Sequence, residues 1–548
     1  MGDCRILDSW VSYGPRPGRH ERERWTLDQL VEDLDFYGIA GALVRHEQLL
    51  CYDSMFTNRR VVRELEGRRD RLFPCWGAMP ANAGDFPLAP DFGAEMDDAG
   101  VRAVLLTPAL HGYPIHPDVL TPLAREMNRR GVLIAITLTE LGRSYGAAVA
   151  LCGAFAECPV LIAEATWADW RLVASILDAC PNACVEFSAF QANRGVEVFA
   201  ERYGIERVYF GSGLPRRSAG AARGFVDWSL LSDDDAARFA GGNLADVLDV
   251  EIPPAPALDD SADAITLTAR SGAPLDLPVL DAHCHVLDDG LNGAGARYVM
   301  IKGDSLNMLE LTRRMGVDLT AMMSWAGTVS NDAPTGNALI EQVVARSPEE
   351  IVGLSTCDPS HQTTEEIVAL CERLHGELGF RGCKPYHQSR TSYSAPGYTP
   401  YWEYANAHHL YGLLHIAAHA GGMGAAAELA GKYPDVTFLI AHSGSSWPFA
   451  QEVADLGKKY DNVCAELTYT AALNGVVEWL CEQLGSDRVL FGTDAPMRDP
   501  RPQLGWCVHT RLSEEDKRRV LGGNFARILL RGNLPGHALP AVVEQAAQ

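Results

Sequence analysis

The chain has 548 residues, of which 47% are hydrophobic and 22% charged, with a formal net charge of −24. That length exceeds one ordinary core and predicts two domains of about 250 residues. The acidic balance argues against nucleic acid or an anionic membrane surface as partner, and no apolar run reaches the length of a membrane span.

In chain order, the first half shows eight apolar strand-like runs alternating with helix-like segments. They are Arg5–Val11, Gly38–Val44, Phe73–Ala78, Arg102–Thr107, Val132–Thr137, Pro159–Glu164, Ala183–Phe187 and Arg207–Gly211. A Pro/Ala/Asp-rich stretch follows and reads as a linker over 251–278, with Ile265 to Pro278 as a short strand pair. The second half repeats the pattern at Val279–Val286, Leu319–Trp325, Val352–Cys357, Gly382–Tyr386, Leu413–His419, Thr437–His442, Asn462–Leu467 and Val489–Asp494. Strands alternating with helices predict parallel sheets, and eight units per half predict two tandem (β/α)₈ barrels. The expected domains are 1–250, a linker 251–278, 279–533 and a tail 534–548 that is mobile or straps a neighbour.

The halves share phrases in the same order. Leu161-Ile162-Ala163-Glu164 parallels Leu439-Ile440-Ala441-His442, and Gly241-Gly242-Asn243 parallels Gly522-Gly523-Asn524. This is duplication of a whole barrel rather than a short repeat.

The histidines are unevenly divided, with four of the 16 before residue 251. His283 and His285 are two apart on a strand, so both face the barrel interior near the end where barrel active sites form. His419, His442 and Asp494 close the fifth, sixth and eighth predicted strands. Metal-type side chains at five such positions predict a metal site, with His283, His285, Asp494 and His419 as ligands. His442 is expected to stay free as an acid, base or electrophile, and His415 to be a hydrogen-bonded core histidine. Lys384 is expected to contact a substrate anion or to be an inert strand end. Tyr386, His387, Arg390, Tyr393, Tyr398, Tyr401 and Trp402 mark a loop expected to line the pocket. Glu466 is either a further acid or structural, since Glu186 matches it in the first half.

These phrases, with Gly379-Phe380-Arg381-Gly382-Cys383-Lys384, Tyr433-Pro434-Asp435 and Gly492-Thr493-Asp494-Ala495-Pro496, resemble the amidohydrolase superfamily, in particular the branch of aminocarboxymuconate-semialdehyde-decarboxylase-like enzymes. The resemblance implies one divalent metal, usually zinc, on His283, His285, His419 and Asp494. It also implies Asp494 as proton shuttle and His442 steadying substrate or oxyanion. The expected activity is hydrolysis of a small amide, lactone or ester by a metal-activated water. The alternative is non-oxidative decarboxylation or hydration of an aromatic or unsaturated acid.

Against the second half, the first carries Trp10 for His283, Ser12 for His285, Leu105 for Lys384, Leu138 for His419, Glu164 for His442 and Gly213 for Asp494. Such side chains do not rebuild a metal site, so the first barrel is expected to be degenerate. The resemblance implies that the first half acts as a built-in pseudo-dimer partner, with Arg216 and Arg217 either reaching toward the active site or standing as solvated loop charges, and a homo-oligomer is allowed. The opening residues lack a signal peptide's apolar core, and the 14 cysteines form no Cys-x-x-Cys pair, so a cytoplasmic location is expected.

Overall fold

The computed structural model describes residues 4–257, 263–294, 297–385, 391–416 and 421–548. The chain divides into two compact units, 1–262 and 263–548. Each is built on eight parallel strands in which every strand neighbours the next in sequence. The first unit's strands are Leu7–Tyr13, Gly41–His46, Leu72–Ala78, Ala103–Leu106, Leu133–Thr137, Val160–Ala163, Ala183–Glu186 and Val208–Tyr209. The second unit's are Leu280–Val286, Leu319–Ser324, Ile351–Ser355, Gly382–Cys383, Tyr411–Leu414, Thr437–Ile440, Val463–Leu467 and Val489–Phe491. Helices cover the outer faces, so these strands are buried on both sides and read as continuous apolar runs such as Val160-Leu161-Ile162-Ala163. Two tandem (β/α)₈ barrels are therefore present.

Both barrels close in the same way. Beyond the last strand, Gly213 N donates to Trp10 O (3.0 Å) and Ser12 N to Leu214 O (3.0 Å). In the second barrel Asp494 N donates to His283 O (2.7 Å) and His285 N to Ala495 O (2.6 Å). A buried aspartate clamps each seam. Asp8 accepts from Trp10 N and Ser212 N, both at 3.0 Å. Asp281 accepts from His283 N (2.9 Å), Thr493 N (3.0 Å) and Thr493 Oγ1 (2.6 Å).

The Gly-Gly-Asn phrases have a steric origin. Each lies on a π-helical turn, Arg238–Gly242 or Arg519–Gly523, pressed against the start of the first strand. A Cβ on Gly241 would lie 2.7 Å from Leu7 N, and one on Gly522 would lie 2.4 Å from Pro278 O. The asparagine then ties off the turn before the last strand. Asn243 Nδ2 donates to Ile205 O (2.7 Å) and Val208 O (2.9 Å), and Asn524 Nδ2 to Ser486 O (2.6 Å) and Val489 O (2.7 Å).

Two connecting segments differ from expectation. The proposed strand pair after the linker is a helix, Ala264–Arg270, because Asp263 caps it through Thr266 N (2.8 Å) and Thr266 Oγ1 bonds Val508 O (3.3 Å). The tail is not loose. Its helix Ala541–Ala547 buries Val543 in the second barrel's own core, beside Leu280, Leu319 and Phe525. No described helix is long and apolar enough to cross a membrane.

Candidate metal centre in the second barrel

The first strand of the second barrel puts His283 and His285 on its inner face, and hydrogen bonds fix both rings. His283 Nδ1 lies 3.1 Å from Glu466 Oε2 and donates to it. Its Nε2 is left with a lone pair, buried and without a hydrogen-bond partner among the described residues. His285 Nδ1 lies 3.2 Å from Thr328 Oγ1, whose own proton goes to Ser324 O (2.8 Å), so the ring donates and Nε2 keeps its lone pair. Both Nε2 atoms face Asp494, whose Oδ1 is 3.4 Å from His283 and 3.3 Å from His285. Burial, then the Lys384 charge, then the neighbouring imidazoles hold His283 well below the usual histidine range, so its ring is neutral.

His442 follows the sixth strand in a left-handed conformation (φ 64°) that turns its ring inward. Nδ1 donates to Thr468 Oγ1 (2.6 Å), since that hydroxyl spends its proton on Glu466 Oε2 (3.1 Å). His442 Nε2 then accepts from His415 Nδ1 at 3.1 Å. Asp494 also has positive φ (52°) and directs Oδ2 at the guanidinium of Arg498. Arg498 is buried, stacks 5.0 Å from the Tyr469 ring centre and donates from Nε to Thr470 Oγ1 (2.8 Å).

Beneath this cluster lie Lys384 and Glu466. Lys384 Nζ is buried and has no hydrogen-bond partner among the described residues. Burial pulls it down to about 7, opposed by the Glu466 charge, while burial pushes Glu466 up to about 8. Glu466 also accepts His442 N (3.3 Å), so one carboxylate braces both His283 and His442. That makes it structural.

The ligand atoms of His283, His442 and Asp494 lie within 4.8 Å of one another, and this is the one such cluster of His, Cys, Asp or Glu among the described residues. The neutral His283 imidazole and the His285 ring beside a carboxylate suit a borderline divalent cation, and the buried His283 Nε2 has no hydrogen-bond partner among the described residues.

Several expected residues need correction. His419, Tyr386, His387 and Arg390 lie outside the described residues. His415 is not a core histidine. The fifth strand is Tyr411–Leu414, earlier than the predicted Leu413–His419, so His415 emerges at its end, partly exposed and against His442. The apolar run past His415 disguised that end. Register supports the shift. Leu439 pairs with Leu413 as Leu161 pairs with Ala135, which makes Thr137 the first-barrel counterpart of His415. Tyr393, Tyr398, Tyr401 and Trp402 do not line a wet pocket. They are fully buried on their own barrel, with Tyr401 Oη on Ser355 O (2.7 Å) and Trp402 Nε1 on Tyr393 O (2.8 Å).

Asp281, Thr328, Thr468 and Arg498 also shape the site, beyond the residues expected from the sequence. A signal existed for three of them. Asp8, Ser188 and Arg217 stand at the matching places for Asp281, Thr468 and Arg498. In the first barrel Arg216 and Arg217 turn onto their own unit's carboxylates, Arg216 Nη2 lying 2.9 Å from Glu47 and Arg217 Nη1 4.0 Å from Glu164.

No curated protein matches the chain. Solved structures similar to it include 5-carboxyvanillate decarboxylase LigW from Sphingomonas paucimobilis, at 18% identity over 46% of this chain and 99% of that one, with a TM-score of 0.38. The 2,6-dihydroxybenzoate decarboxylase from Rhizobium is 16% identical over 46% of this chain and 99% of its own, with a TM-score of 0.36. The 4-oxalomesaconate hydratase LigJ from Rhodopseudomonas palustris is 16% identical over 46% and 96%, with a TM-score of 0.35. The amidohydrolase family model matches residues 17–250 and again 280–531, nearly all of both barrels, and the chain therefore belongs to the amidohydrolase family.

Proposed function

We propose that the second barrel is a metal-dependent lyase that removes carbon dioxide, without oxidation, from a small aromatic or unsaturated carboxylic acid. The observation that carries this reading is the pair of buried basic side chains beside the imidazole and carboxylate cluster, Arg498 against Asp494 and Lys384 near His283 and Glu466. A carboxylate substrate pairs with such groups, whereas a neutral amide or ester gains little from them.

In this proposal His283, His285 and Asp494 hold one divalent cation, with zinc the first expectation for an imidazole-rich set. His419 is the proposed fourth ligand, which leaves His415 and His442 free to move a proton. When bound, the ion supplies Lewis acidity that polarises a substrate oxygen. Arg498 and Lys384 orient the substrate carboxylate. As the carbon–carbon bond breaks, its electron pair stays on the substrate carbon, which must gain a proton. The His415–His442 pair is the proposed donor: His415 Nδ1 hands its proton to His442 Nε2, which passes it to that carbon, and solvent reprotonates His415.

The second reading is hydrolysis of a small amide, lactone or ester. It is favoured by Asp494 Oδ1 lying beside both imidazoles, where a carboxylate can take a proton from water. Turnover of hydroxybenzoates and of small amides or lactones by metal-loaded protein in ¹⁸O-water separates the two. Carbon dioxide release is expected, and label appearing in a product acid would overturn the lyase reading.

A further inference from the structure

The mouth of the first barrel is not an apolar plug where a site has decayed. Register identifies what changed. Arg45 pairs with Ser12 as Met323 pairs with His285, so Arg45 stands where the second barrel has methionine and Glu47 where it has Trp325. Glu164 replaces His442 and keeps its left-handed backbone (φ 54°). Glu186 supports that strain by accepting Glu164 N at 2.8 Å, as Glu466 supports His442. Burying charge costs several kcal/mol per ion unless it is compensated, so relaxed selection alone would favour apolar replacements here.

The cluster's charges are not matched pair by pair. Three guanidinium groups, Arg45, Arg216 and Arg217, face Glu47 and Glu164. Arg216 is committed to Glu47 at 2.9 Å. Glu164 accepts Trp10 Nε1 (3.2 Å) and stays 4.0 Å from Arg217, beyond hydrogen-bond range. Other nearby carboxylates are engaged elsewhere. Glu23 is engaged by Arg16 at 2.5 Å and Asp169 by Arg143, while Glu186 spends its oxygens on Glu164 N, Ser188 N and Ser188 Oγ.

Two guanidinium groups therefore have donors to spare. Arg45 lies 3.6 Å from the Trp10 ring centre, and its one hydrogen bond among the described residues is a long contact of 3.4 Å to Val11 O. Arg217 Nε has no partner among them, and the side chain keeps one-fifth of its surface open. Arg217 also fills the space of the lost metal ligand, since a Cβ on Gly213 would lie 3.1 Å from its Cδ.

We propose that the first barrel's mouth is a binding site for a small carboxylate, held between Arg45 and Arg217 and backed by Trp10. The guanidinium fork matches a carboxylate in a way a point charge does not. The site does not depend on the reaction assigned to the second barrel.

The test is calorimetric titration of the full chain with sodium benzoate, in an Arg498→Gln background that weakens carboxylate binding in the second barrel. One saturable site per chain is expected to remain. Arg217→Gln and, separately, Arg45→Met should each weaken it by roughly tenfold or more. Arg45→Met installs the residue of the second barrel. Because it strips a buried ion from its partners and can unfold the unit, the partly exposed Arg217→Gln, checked by circular dichroism, keeps the test decisive. Unchanged affinity in a folded Arg217→Gln protein, absence of saturable binding, or inorganic phosphate binding as tightly as benzoate would each overturn the proposal.

Discussion

The two barrels share a frame and differ at its rim. Asp8 and Asp281 clamp equivalent seams, Asn243 and Asn524 tie off equivalent turns, and Glu186 and Glu466 brace equivalent strained residues. At the mouth, His283 faces Asp494 in one barrel, while Trp10 carries a guanidinium and Gly213 makes room for Arg217 in the other. The frame satisfies backbone groups that any such barrel must bury. The rim lies outside that frame, and there Trp10, Ser12 and Glu164 stand where the second barrel has His283, His285 and His442, with Arg45 in place of Met323.

The largest test of this contrast is chemical. Asp494→Asn should lower turnover by roughly 10²–10⁴-fold. The reverse graft, Trp10→His with Ser12→His and Gly213→Asp, should bind no stoichiometric metal by elemental analysis, because Arg217 crowds position 213. A metal-bound graft would show that the rim is less committed than its packing implies.

Next comes the brace. Glu466→Gln should weaken metal affinity by roughly 10–100-fold in chelator competition, since it loosens both His283 and His442. Glu186→Gln should leave metal affinity unchanged.

A smaller effect sharpens the difference at the base. Val543→Ala should destabilise the second unit by roughly 1–3 kcal/mol in chemical denaturation, leaving the first unit's transition in place.

The mildest effect is pH-linked. Burial raises Asp8 to about 6 and Asp281 to about 7. A raised folded-state carboxyl means the native state holds more protons than the unfolded one above about pH 4. Stability from these groups is full below that point and is lost as pH rises through 6 for the first seam and 7 for the second. Asp8→Asn and Asp281→Asn should each flatten that part of the profile in metal-free protein. A steeper profile in either would show that the clamp is charged when folded.

Much of this was legible in the sequence. Alternating runs gave both barrels, and the ordered phrases gave the duplication. His283, His285, His442 and Asp494 converge as their strand-end positions required. What misled was local pattern without register. Ile416 extends the apolar look of the fifth strand past His415, so the strand was drawn too long. Tyr393 and Tyr401 carry polar tips, yet the His415 carbonyl and Ser355 take them up indoors. Arg498 was legible only through its match with Arg217, because its role depends on an aspartate four residues earlier that turns back on it.

The seam clamp has a consequence for tracing ancestry. One copy has no histidine at the positions matching His283, His285 and His442, yet it keeps Asp8 and the crowded Gly241-Gly242-Asn243 turn. Searches for retired members hidden in longer genes should therefore weight that architectural signature above the reactive one.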